Sequence, residues 1–77
     1  MAVKYNTHVA VFFPDNETDR VFTKFVTGVE RSTASWETGQ PALKLTESFA
    51  KDIVYGLTLN GYAAAVIKVV NGVELRN

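Results

Sequence analysis

The stretch TESFAKDIVYGLTLNGYAAAVIKVV, residues 46–70, decides the fold because two periodicities meet in it. In its first half Phe49, Ala50, Ile53, Gly56, Leu57 and Asn60 recur at steps of three and four, the spacing of one stripe on an α-helix. Ser48, Lys51, Asp52, Tyr55 and Thr58 fall off that stripe. Thr46 has an N-capping side chain, whose oxygen accepts a backbone N–H that the first turn leaves unpaired. Glu47 follows it, at the positive end of the helix dipole. Asn60-Gly61 supplies residues that tolerate the left-handed conformation closing a helix. The spacing therefore predicts a helix over 47–59. From Tyr62 to Val70 the pattern becomes a continuous apolar run broken only by Lys68, as an interior strand requires. Gly56 and the three alanines Ala63–Ala65 predict close contact between helix and strand.

Working outward, Asn71-Gly72 is a strong two-residue hairpin signal, so Val73-Glu74-Leu75 should return as a short last strand. At the other end Val3, Tyr5, Thr7, Val9, Val11 and Phe13 occupy alternate positions and predict a strand, halted by Pro14-Asp15-Asn16. Residues 17–30 are ambiguous. Val21, Phe22, Phe25, Val26 and Val29 fit helical spacing, but the segment is dominated by β-branched and aromatic side chains that suit a pleated surface. A strand or bent strand is preferred, continued by Arg31–Glu37, with a second helix over 17–30 as the alternative. Thr38–Pro41 forms a turn and Ala42–Leu45 a short strand or extended lead-in. The expected class is α+β: a single small domain, largely antiparallel, in the order β-β-β-α-β-β, with one helix on one face.

Composition narrows the function classes. The 77 residues hold no cysteine, so neither a disulfide framework nor a thiolate metal site is possible. A reducing cytoplasmic setting is expected, with no secretory leader in Met1–Asn6 and no apolar run long enough to span a bilayer. Eight basic residues balance eight acidic ones, which argues against a domain that works by neutralising phosphates.

Trp36, the turn at Gly39-Gln40, Ala42–Leu45, the Thr46-capped helix and the strand from Gly61 to Val69 together resemble a known pattern. It is that of the C-terminal half of many small uncharacterised proteins of Gram-positive bacteria and their phages, over about residues 30–70. The resemblance implies a shape and a bacterial or phage source, and it carries no functional residues across.

Candidate chemistry is sparse. His8 is the single histidine and falls on the more polar side of the first strand. Asp15, Glu17 and Asp19 alternate like the start of a calcium loop, but Arg20 and Val26 stand where that loop needs Gly and Glu. Ser32, Ser35 and Ser48 have no neighbouring base, and the glycines are isolated rather than grouped around a phosphate. No cofactor, metal site or paired carboxylate emerges from Glu30, Glu37, Glu47 and Asp52. What remains is apolar surface. Ala10, Phe12, Val66 and Val70 are expected on the sheet face the helix leaves bare, and Tyr55 with Leu59 one turn apart on the helix. These residues predict a non-enzymatic bacterial or phage accessory protein acting through protein contact, as a homodimer. The alternative is weak single-stranded nucleic-acid binding by the sheet face, through Lys4, Lys24 or Lys68 with Tyr5, Phe12 or Trp36.

Overall fold

The computed structural model describes residues 5–31, 33–70 and 73–76. Val3 and Lys4, Ser32, and the Asn71-Gly72 turn lie outside the described residues. The chain runs β1 (Asn6–Asp15), β2 (Arg20–Phe25), β3 (Gly28–Glu30), β4 (Thr33–Ser35), α1 (Glu47–Leu59), β5 (Ala63–Val70) and β6 (Val73–Arg76). A four-stranded antiparallel sheet has the order β2-β1-β5-β6, and β3 pairs with β4 in a separate hairpin. The α+β class with one helix is as expected; β3 and β4 form in place of a continued second strand, and Ala42–Leu45 makes a single bridge at Leu45 rather than a short strand.

The period of two in β1 does what it predicts on the helix side. Val9, Val11 and Phe13 point toward α1, and their partners across the ladder, Val66 and Ala64, share that face. Val9, Val11 and Val26 close against Ala50 and Leu57, with Ile53, Val54 and Leu45 packed around them. Val66 thus belongs to this core cluster and not to the opposite face. Val70 lies on the same side of β5 by alternation and is partly buried, outside that cluster. The opposite face is not bare either. Ala10 and Ile67 at its centre are buried, and His8 lies edge-on to Phe25 while its Nδ1–H donates to the Leu43 carbonyl at 2.9 Å.

Within residues 17–30 the chain forms a turn, β2 and β3, so the alternative second helix is absent. The Asp15 carboxylate accepts from the Glu17 N–H and the Thr18 hydroxyl, both at 3.0 Å, and Asp19 takes a positive φ of 53°. That geometry turns the chain straight back against β1 and leaves no room for a helical first turn. After the Val26 N–H reaches the Val9 carbonyl at 2.8 Å, the chain leaves the sheet. Arg31–Glu37 does not continue the strand. Arg31 has φ 49°, and the chain reverses to pair Thr33–Ser35 with Gly28–Glu30. Thr27 pins this hairpin, donating its N–H to the Ser35 carbonyl and accepting the Glu37 N–H on its hydroxyl. Leu45 pairs with Thr7 in place of the departed β2 and delivers the chain to Thr46.

Both ends of α1 follow from their residues. The Thr46 hydroxyl accepts the Phe49 N–H at 3.2 Å. At the other end Gly61 has φ 87°, the Gly61 N–H reaches the Thr58 carbonyl and the Tyr62 N–H reaches Leu57. This is a Schellman closure, and it needs a residue without a Cβ penalty at Gly61.

Candidate interaction surface

The three alanines and Gly56 were expected to bring helix and strand into close contact. The structure corrects this at Gly56: a Cβ placed there meets nothing within 4 Å. Ala50, Ile53, Val54 and Leu57 turn to the sheet, while Gly56 faces a groove between α1 and the β3–β4 hairpin. The groove has a volume of about 710 Å³ and is open along one side. Its helix wall is Phe49, Asp52, Ile53, Gly56 and Asn60, and its far wall is Val29, Ala34 and Trp36 from the hairpin.

The local sequence sets each wall. The Schellman closure at Gly61 turns Tyr62 back onto Leu57, which places the Tyr62 ring at one end of the groove. There it meets Trp36 at 5.2 Å between ring centres, and Phe13 packs against both, 5.7 Å from Trp36 and 6.3 Å from Tyr62. These edge-on and tilted contacts are the preferred geometry for ring quadrupoles. The Asn60 amide donates to the Gly56 carbonyl at 2.9 Å, which fixes the floor beside it. Asp52 is the charged side chain in the lining, and it has no ion pair among the described residues.

The helix lip beyond Asp52 carries Tyr55 and Leu59, one turn apart as the sequence suggested, 61% and 72% exposed. Phe49 and Tyr62, in the groove itself, are 46% and 40% exposed. The surplus apolar surface therefore sits mainly on the helix side, as a ridge beside a groove. Of the residues expected to form a contact surface, Tyr55 and Leu59 are exposed on α1 outside the groove lining. Phe12 is half-buried on the opposite sheet face, between the Cα positions of Thr23 and Ala63. Trp36, Phe49, Asp52, Gly56 and Tyr62 were not anticipated as one site. The available signal was Gly56 itself, a helix-weakening residue within the apolar stripe.

Lys24 and Lys68, the described lysines of the nucleic-acid reading, stand on different strands. Lys68 pairs with Glu47 at 3.5 Å and stands over the Tyr5 ring at 5.0 Å, on the helix side of β5. Lys24 lies on β2 and Phe12 on the other face. Lys68, and after it Lys51, hold the Glu47 carboxyl below its ordinary value of 4.5. Among the described residues no group of His, Asp and Glu could hold a metal ion, and no helix is long and apolar enough to cross a membrane. No family model, curated protein or solved structure matches the chain.

Proposed function

We propose that the domain acts by protein contact without catalysis, as a symmetric homodimer formed through α1 and the β3–β4 hairpin. One observation carries this reading: an exposed apolar pair, Tyr55 and Leu59, stands on the same helix whose Gly56 helps wall a groove lined mainly by aliphatic and aromatic residues. A two-fold interface presents the same patch from both copies, so it needs a surface that is its own complement. A ridge and a groove side by side meet that condition, since each copy seats its ridge in the other's groove. Gly56 lets the second helix approach without a side chain between, as small residues do where helices cross closely. The lining supports contact over chemistry, being mostly aromatic and aliphatic with Asp52 as its charged group. Removing Phe49, Tyr55, Leu59 and Tyr62 from water supplies the hydrophobic drive, and aromatic anchors in a rigid pocket are the usual centres of binding energy.

Light scattering on the purified chain at tens of micromolar tests the proposal. A dimer is expected for the wild type, and monomers for Leu59→Asp, which puts a charge into the interface, and for Gly56→Leu, which fills the groove. A wild type that stays monomeric overturns it, as does a dimer indifferent to both substitutions.

A further inference from the structure

The outer edge of β2 is a second surface, independent of the groove. Among the described residues β2 pairs with β1 on one side only and is an end strand of the four-stranded sheet. Alternate residues along it turn their N–H and C=O groups away from β1, ready to pair with another strand. Every residue from Arg20 to Lys24 is exposed, including Val21 at 60% and Phe22 at 53%. No proline interrupts the strand, and its ladder to β1 runs unbroken from Arg20 to Phe25.

The side chains say what such a strand must carry. By register Arg20, Phe22 and Lys24 share one face, opposite Asp15, Phe13 and Val11, while Val21 and Thr23 share the other. Asp15 is the acid nearest Arg20 across the ladder, and both its oxygens are engaged within its own turn. Among the described residues neither Arg20 nor Lys24 has an ion pair. The edge thus presents cation, aromatic, cation along one face, backed by two β-branched residues. A second copy is a poor match. β2 has two cations and no acid, so two such edges side by side would gather four positive charges.

We infer that β2 is a docking edge for an extended segment of a partner protein in which two acidic residues flank an apolar one at alternate positions. The segment adds as a fifth strand. Its backbone pairs with β2, its carboxylates lie opposite Arg20 and Lys24, and its apolar side chain covers Phe22. This does not depend on the homodimer, because the edge and the groove use different elements.

The test uses the full chain, ¹⁵N-labelled, titrated with the capped peptide Ser-Glu-Val-Leu-Thr-Glu-Ser and with the same peptide carrying Lys for each Glu. The acidic peptide should shift the amide signals of β2, less as salt is raised, and the lysine peptide should not. The exposed double variant Arg20→Glu with Lys24→Glu should exchange the preference, weakening the acidic peptide about tenfold and admitting the lysine one. Three results overturn the inference: no β2 shifts at millimolar acidic peptide, equal shifts with both peptides, or β2 shifts that follow protein concentration with no peptide present. The last would assign the edge to a second copy.

Discussion

Two glycines in α1 and its cap have opposite reasons for being there. Gly61 is held at φ 87°, where an L side chain strains the backbone, so Gly61→Ala should lower stability by about 1–2 kcal/mol in a urea denaturation. Gly56 has ordinary helical geometry and open space at its Cβ. In the monomeric Leu59→Asp background, Gly56→Ala should therefore raise stability by about 0.5–1 kcal/mol, through better helix propensity. A loss instead would show that the helix is pressed against something at that point. Glu47 is the residue with a legible pH response. Lys68 and Lys51 depress its folded pKa below 4.5, so its stabilising effect is present above that value and fades as pH falls through the folded pKa. The difference in melting temperature between wild type and Glu47→Gln should be full at neutral pH and close on acidification below 4.5. A gap that persists there would place the effect elsewhere than in the carboxylate charge.

Among the elements, α1 and β5 were legible because each rests on local chemistry. The helix ends at Thr46 and Gly61 are set by one hydroxyl and one missing Cβ, and both are where the residues place them. Thr46→Ala should remove the cap at a cost of about 1 kcal/mol, measured by thermal denaturation of the two proteins. Residues 20–36 were harder, because three short strands with apolar residues on both sides imitate a helical spacing. Their strand character was in the β-branched and aromatic content, but the reversal at Arg31 was not. It depends on Thr27 fastening Ser35 and Glu37, a contact made between positions far apart in sequence. The placement of Val66 and Val70 failed for a related reason. An apolar run on both faces of a strand contains no signal for which face meets the helix, and only the register Val9↔Val66 decides it.

At the scale of the whole molecule, an excess of apolar surface was legible but its address was not. Counting apolar residues against one helix pointed to the far sheet face, yet Ala10 and Ile67 are buried there. Exposed Phe49 and Tyr62 instead line the space between the helix and a hairpin outside the main sheet. Ridge and groove exist as a pair only because the β3–β4 hairpin supplies Val29, Ala34 and Trp36 as the far wall. Tyr55 and Leu59 could be found from helical spacing, whereas the surface that complements them required the fold. Light scattering of wild type beside Gly56→Leu tests that complementarity most directly, because a Cβ at Gly56 meets nothing within 4 Å in the single chain and the larger side chain extends into the groove. The account predicts a wild type at twice the 8.5 kDa of one chain and a folded, monomeric Gly56→Leu. A wild type that scatters as a single chain, or a Gly56→Leu protein that dimerises as well as wild type, would contradict it.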